Sequence, residues 1–343
     1  MGIHSMSLEH LPNPKAAADL IAATRKRFST KVCMAPHTDH EGPIVSAHTL
    51  SREAVLRKIS KDAHVYAPNL RFRFSPDENP IHVRRLGIGD VSVFNGFCAK
   101  HDASLFSCVE NEPFTFQPKQ IFMLAYRATA RECYLKRKQY ESLPTPEQIG
   151  AIHKIKDRLK YTHSALRFQE ASLRGAEEIE AFKAKLDGYL LQEDWKQFES
   201  FSISFPKTPS LVASFTFQPF FDMNGNQLQD FTNLGADMST LAISVLPLEK
   251  GGVAIFSWLK TANAAPLRFY TSVAESKNRT SAIIHAILDN GENFAFSPEW
   301  YEGLRSETKE YLLSRMRLVP ANINYSFERR PDESSPYLDD WEK

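Results

Sequence analysis

Residues 95–102 read NGFCAKHD, and this short stretch decides how the N-terminal third of the chain is organised. Cys98 and His101 are separated by two residues, a spacing at which one turn can present two ligands to a zinc ion. The preceding VSVFNGF alternates as a strand does, and the following ASLFSCVEN has helical spacing. A turn between a strand and a helix directs both side chains to one point, so the pattern predicts half of a zinc site.

A second group of metal-binding residue types lies upstream, in the loop CMAPHTDHEG that begins at Cys33. His37 follows at C-x3-H spacing and His40 at C-x6-H spacing. Zinc prefers sulfur and imidazole to the carboxylates of the same loop. We therefore predict one structural Zn²⁺ bound by Cys33, Cys98, His101 and one of the two loop histidines. The alternative is that the cysteines are small buried side chains and the histidines ordinary loop residues.

The order of these residues resembles a known metal-binding module. Ala-His at 47–48, followed by N-x-x-C-x-x-H-D from Asn95, is similar to the zinc-braced variant of the HNH module, a ββα-metal fold related to the treble clef. The chain also resembles uncharacterised bacterial proteins with C-x6-C-x-G-x-I-x-x-A-H and, later, F-C-x-x-H-D-x-x-L-F. In that pattern a cysteine stands where this chain has His40, which favours His40 over His37. The resemblance covers about residues 31–110.

The resemblance implies catalytic roles for three residues. His48 matches the general base that activates water against a phosphodiester, Asn95 matches the module's asparagine, and Asp102 lies next to the site. Such an enzyme is a metal-dependent endonuclease that uses Mg²⁺ or Mn²⁺ held by oxygen or imidazole ligands. The chain departs from the pattern at Ala47, where active members place a metal ligand near the base. The 46 residues between His48 and Asn95 are also a long insertion, so the HNH-like site is predicted to be degenerate.

The rest of the sequence predicts an α+β protein. A capped, alanine-rich helix occupies residues 1–30, and the zinc-braced HNH-like domain extends over 31–117. From 118 to 195 apolar residues recur at three- and four-residue steps on both sides of a Pro-Thr-Pro turn that begins at Pro144. Two long helices joined by a short turn form an antiparallel hairpin, which is the prediction for this region.

The C-terminal region is predicted to be a mixed sheet with flanking helices, over residues 196–327. Apolar residues alternate with a period of two in FESFSISF, LVASFTFQPFF, LAISVLPL and GVAIFSWL, and a Gly-Gly pair between the last two segments favours a hairpin. Helices are expected at about 272–289 and 299–315. The polar, proline-containing residues 328–343 are predicted to form a disordered tail.

The composition excludes several classes of protein. With 42 basic and 41 acidic residues the net charge is +1, too small for a protein that coats DNA. No stretch approaches the roughly 18 consecutive apolar residues of a membrane helix, and the N-terminus lacks the pattern of a signal peptide. Four cysteines are too few for a disulfide scaffold. We therefore predict a cytoplasmic protein that does not bind membranes.

Two functions remain open from the sequence. In the first, the degenerate HNH-like domain engages nucleic acid, with or without phosphodiesterase activity. Residues 118–170 contain eleven Lys and Arg against five Asp and Glu, a composition suited to contact with phosphates. In the second, zinc only folds the domain, and the protein is a non-enzymatic scaffold that self-associates or recruits a partner through the hairpin 118–195.

Overall fold

The computed structural model describes residues 12–70, 81–230, 238–261, 263–316 and 337–342. The helices are α1 (Pro14–Phe28), α2 (Arg57–Ile59), α3 (Ala99–Glu110), α4 (Pro118–Ser142), α5 (Pro146–Ala151), α6 (Arg158–Leu191), α7 (Ala265–Ala274), α8 (Arg279–Asn290), α9 (Pro298–Gly303) and α10 (Ser306–Arg315). The strands are β1 (Ile44–His48), β2 (His64–Leu70), β3 (Ile81–Gly87), β4 (Val93–Cys98), β5 (Phe198–Phe205), β6 (Leu211–Phe217), β7 (Leu241–Pro247), β8 (Gly252–Leu259) and β9 (Phe294–Phe296). The predicted α+β class is confirmed.

The described strands form two antiparallel sheets. The small sheet pairs β1 with β4, and the large sheet has seven strands in the order β3-β2-β9-β6-β7-β8-β5. The large sheet joins the two ends of the chain, because Tyr66 of β2 pairs with Phe296 of β9. This differs from the predicted division at residue 117, since β2 and β3 belong to the same sheet as the C-terminal strands. Periodicity indicates that a segment is a strand, but it does not indicate which distant strand will pair with it.

Helix α4 is the central helix of the molecule. Its sequence from Ile121 to Ala130 is apolar or small on nearly every side, which is typical of a helix covered all round, and this run is buried throughout. One side packs on strands β6, β7 and β8, and another packs on α6. The two helices run in opposite directions, because Tyr126 bonds Asp187 whereas Arg137, further along α4, pairs with Glu180. Their connection is longer than a proline turn, since it contains α5.

The C-terminal strands lie where the period-two pattern predicts them. The eight residues of β5 pair with β8 without interruption, from Phe198 opposite Leu259 to Phe205 opposite Gly252. Gly251, in the turn between β7 and β8, has a φ of 71°, and a Cβ there would lie 1.9 Å from the carbonyl oxygen of Phe205. The helices are more divided than predicted, with α7 and α8 in place of one and α9 and α10 in place of the other. No helix in the described ranges is both long and apolar enough to cross a bilayer.

Residues 337–342, the described part of the predicted tail, are ordered, in contrast to the prediction, with Leu338 and Trp341 buried. Trp341 is 1% exposed, and its ring lies edge-on to Phe205 with the centroids 5.3 Å apart. The indole N–H donates to the hydroxyl of Ser210 at 3.1 Å. Burial of one large aromatic side chain stabilises this segment, although the residues around it are polar. The rest of the predicted tail lies outside the described residues.

A buried carboxyl on α4 gives a pH-dependent prediction. Burial, with the nearby charge of Glu292, raises the pKa of Glu132 from 4.5 to about 7, although its carboxylate accepts a bond from Arg131 at 2.9 Å. Because the folded protein then holds a proton that the unfolded chain has released, we expect the free energy of unfolding to fall as pH rises from about 4.5 to 7, by about 3 kcal/mol. Glu132→Gln should flatten this dependence in urea titrations at pH 5 and pH 8. A variant with the same slope as the wild type would contradict the assignment.

Candidate metal centre

Two of the candidate ligands lie at the junction of β4 and α3. Cys98 is the last residue of β4 and precedes the first turn of α3, which contains His101. A hydrogen bond joins this junction to the loop before β1: the amide of Ala99 donates to the carbonyl of Pro43 at 2.9 Å. Gly42 permits this approach: its φ is 75°, and an added Cβ would lie 3.1 Å from the Cβ of Ala99. The turn predicted from the C-x2-H spacing is therefore present.

The third candidate ligand is brought in by a short extended segment beside β4. The amides of Val32 and Met34 donate to carbonyls of β4 at 3.2 and 2.8 Å, which places Cys33 against the end of that strand. The amide of Cys98 donates to the sulfur of Cys33 at 3.4 Å. Both cysteines are free thiols, not a disulfide.

Four side-chain atoms converge at this point, one each from Cys33, His40, Cys98 and His101, and all lie within 4.8 Å of one another. The Nδ1 atom of His101 is 3.3 Å from Nδ1 of His40, 3.5 Å from the sulfur of Cys33 and 3.3 Å from the sulfur of Cys98. An imidazole nitrogen carries either one proton or one lone pair, so it cannot form three hydrogen bonds in three directions. A cation between the four atoms would account for this arrangement.

The spacing of the four atoms fits zinc. Bonds of about 2.0–2.1 Å to nitrogen and about 2.3 Å to sulfur, directed to the corners of a tetrahedron, separate two nitrogens by about 3.3 Å and a nitrogen from a sulfur by about 3.6 Å. The distances around His101, 3.3 Å to nitrogen and 3.5 and 3.3 Å to sulfur, are close to these values. Two thiolates and two imidazoles are also the donors that zinc prefers. The residues present therefore fit the predicted ion.

A carboxylate lies beside the second ring nitrogen of His101. The Nε2 atom of His101 is 3.3 Å from a carboxylate oxygen of Asp39, and Asp39 is paired with Lys100 at 2.7 Å. The hydrogen bond from Lys100 lowers the pKa of Asp39 to about 2, so the carboxylate is ionised at neutral pH. Histidines that bind metals usually donate their other N–H to such a group, which fixes the ring and its tautomer. Asp39 is not one of the four converging donors, and it would act on a bound metal only through His101.

The structure distinguishes the two loop histidines. His40 contributes a nitrogen to the cluster, whereas the ring of His37 packs beside His101 with the centroids 5.4 Å apart. The Nδ1 atom of His37 is buried and has no hydrogen-bond partner among the described residues. The geometry thus places His40 in the ligand set and His37 against its side.

Comparisons of the chain with protein-family models, with curated proteins and with solved structures find no match. The resemblance to HNH-like proteins accordingly stays a prediction.

Two of the predicted catalytic residues lie beside a buried arginine, next to the metal centre. Arg127 of α4 is 2% exposed and donates to Asp102 at 3.3 Å and to Glu110 at 2.7 Å. Its guanidinium also lies 4.4 Å above the ring centre of Phe106. Burial raises the pKa of Asp102, an effect that Arg127 opposes. His48, at the end of β1, faces the same group of charges.

His48 is not arranged as a general base in this conformation. Burial lowers its pKa, so the ring is neutral at pH 7, as a base must be. Its Nε2 atom, however, is buried and has no hydrogen-bond partner in the described part of the chain. A nitrogen that solvent cannot reach cannot contact a phosphodiester without a movement of its surroundings. The neighbouring Ala47 is fully buried and offers no ligand for a second metal.

Asn95 lies apart from the other two predicted catalytic residues. Its side chain bonds with the hydroxyl of Ser46 at 3.5 Å and interacts with the phenol of Tyr134. Tyr134 is two helical turns further along α4 than Arg127, which contacts Asp102. The structure therefore brings His48 and Asp102 to one cluster and places Asn95 at another.

Sequence reasoning missed Arg127 and the role of Asp39. Arg127 was recognisable as the one charged residue in the apolar run IFMLAYRATA, since a buried cation needs anionic partners. Asp39 lies between two histidines and was considered only as an inferior ligand. Neither spacing nor composition indicates that its oxygen reaches the far side of His101.

Proposed function

We propose that this protein is built around one structural zinc ion, and that the strand–strand–helix unit of β1, β4 and α3 is a degenerate HNH-like module that engages nucleic acid. The proposal rests chiefly on the convergence of three donor atoms on Nδ1 of His101. When bound, the ion cross-links the loop of Cys33 and His40 to the β4–α3 junction. Four protein ligands leave no open position for water, which is the property of a structural rather than a catalytic site.

The small sheet and α3 support the comparison with the HNH module. Strands β1 and β4 are antiparallel, with α2, β2 and β3 between them in the chain, and α3 follows β4 directly, with Cys98 and His101 at that junction. His48, which the resemblance matches to the base, is the last residue of β1. The competing proposal is a scaffold in which zinc only folds the module, and it is favoured by the inaccessible Nε2 of His48.

Nuclease activity is the second candidate function, and a cleavage screen separates it from binding alone. With plasmid DNA or RNA and added Mg²⁺ or Mn²⁺, we expect no cleavage above the metal-only control, because His48 is closed off and Ala47 cannot hold a second ion. Cleavage that His48→Ala abolishes without loss of zinc would establish the nuclease. His163→Ala, at an exposed histidine on α6, is the matched control and should change nothing.

A further inference from the structure

Four cations lie within seven residues where α5 leads into α6, namely Lys154, Lys156, Arg158 and Lys160, and the run contains one acidic residue, Asp157. All four cationic side chains are exposed. We call this group the basic tip. Because the net charge of the whole chain is only +1, such a density of positive charge is a local feature and not a consequence of composition.

The fold does not account for the basic tip. Some cations of α4 and α6 have an acidic partner, as in Arg137 with Glu180 and Arg174 with Glu178. No ion pair joins any of the four tip cations to an acid in the described part of the chain. Like charges four residues apart repel, and cations near the start of α6 also oppose the helix dipole. An anionic partner from outside the chain would offset both effects.

Two aromatic rings flank the cations of the basic tip in the sequence. The rings of His153 and Tyr161 stack with their centroids 3.5 Å apart and their planes 8° from parallel, and both side chains are half-buried. Between them in sequence, Leu159 is 83% exposed. Cations interleaved with aromatic faces are the features by which proteins hold single-stranded nucleic acid, whose bases stack on the rings while its phosphates contact the cations. An acidic protein or an anionic lipid surface would use the charges and leave the rings unused.

A second group of cations lies at the same end of the helical layer. The last turn of α1 contains Arg25, Lys26 and Arg27. Arg27 donates to the carbonyl of Ser142, at the end of α4 and four residues before α5 begins, at 3.1 Å. This contact places the last turn of α1 beside the end of α4, where the connection to α5 begins.

We propose that the basic tip is a binding site for a single-stranded polynucleotide, with phosphates on its four cations and a base against the His153–Tyr161 pair. The site deepens the nucleic-acid part of the proposed function and rests on it, but it does not involve the zinc ligands. It lies on a different element from His48, so binding here needs no opening of that residue.

The test is fluorescence anisotropy of the full chain with labelled 20-nucleotide dT and rU oligonucleotides at several salt concentrations. The charge-reversed variant Lys154→Glu/Lys156→Glu/Lys160→Glu should bind at least about 30-fold more weakly, and the slope of log K against log salt should fall by about 2, at about 0.7 for each lost phosphate contact. Tyr161→Ala should weaken binding about tenfold. The matched control changes charge equally at three exposed lysines of the C-terminal region: Lys250→Glu/Lys260→Glu/Lys277→Glu.

The outcomes separate the two proposals. If the wild type binds and the tip variant binds equally well, the basic tip is not the site, although the proposed engagement with nucleic acid stands. If the tip and control variants lose affinity equally, binding follows net charge and the site is again wrong. If the wild type binds neither oligonucleotide but binds a labelled 20-base-pair duplex, the basic tip is wrong and the proposed function stands. If it binds none of the three, both proposals fail. Zinc content, measured on the same samples, should be unchanged in every variant.

Discussion

Replacing Cys98 by serine is expected to remove zinc and to unfold the β1–β4–α3 unit. The sulfur of Cys98 is buried and lies 3.3 Å from Nδ1 of His101, so its loss breaks the ligand set at its centre. Structural zinc contributes about 10–16 kcal/mol to the folding of small zinc domains, and we expect at least about 5 kcal/mol to be lost here. Thermal melting should show an early transition, and amide hydrogen exchange should show that β1 and β4 lose protection while β6 to β8 keep it.

A second cysteine in the same helix is the matched control. Cys108 is also buried in α3 but lies outside the group of metal-binding atoms. Cys108→Ser should retain zinc and cost about 1–3 kcal/mol, since it places a hydroxyl in an apolar site. If Cys98→Ser and Cys108→Ser melt alike and contain the same amount of zinc, Cys98 is not a ligand.

Replacing Arg127 by methionine is expected to destabilise the protein by about 3–5 kcal/mol, the cost of breaking a buried ion pair from one side. The guanidinium is 2% exposed and lies between Asp102 and Glu110, so its removal leaves two half-buried carboxylates facing each other. It also removes the cation from the face of Phe106. Chemical denaturation at pH 7 measures the change. Because burial already raises the pKa of Asp102, the loss should be smaller at low pH, where that carboxyl takes up a proton.

The control for Arg127 is an arginine in an exposed pair. Arg174 bonds Glu178 at 2.9 Å on the surface of α6, where both side chains are well exposed. Arg174→Met should cost less than about 1 kcal/mol. If Arg127→Met and Arg174→Met lower the free energy of unfolding equally, the buried cluster does not stabilise the core.

The local spacing of apolar residues predicted many of the helices and strands, but it did not predict which distant strands pair. Strands β5 to β8 follow from alternation of apolar residues, because a strand with one buried face must repeat every two residues. Strand β3, in IHVRRLG, carries two arginines and was not predicted. It pairs with β2, from His64 opposite Gly87 to Leu70 opposite Ile81. The place of β2 beside β9 depends on the pairing of Tyr66 with Phe296, residues more than two hundred positions apart. Trp341 likewise escaped prediction because its partners Phe205, Ser210 and Thr280 are distant from it in the sequence.

The candidate metal centre was predicted as far as spacing allows. The C-x2-H step brings Cys98 and His101 together because residues three positions apart lie about one helical turn from each other and on the same side. The choice between His37 and His40 depends on the course of an irregular loop, which periodicity does not describe. The catalytic assignment of His48, Asn95 and Asp102 came from resemblance, and it stays a prediction. The sequence offered no sign that Nε2 of His48 would be buried.

Zinc K-edge X-ray absorption of the purified full chain, together with its metal content, tests the proposed centre most directly. We expect one zinc per chain, with two sulfur neighbours at about 2.3 Å and two nitrogen neighbours at about 2.0–2.1 Å. His40→Ala should lose one nitrogen neighbour or the metal, whereas His37→Ala should retain the full set. A protein without zinc, or a zinc ion surrounded by oxygen and lacking sulfur, would contradict the account.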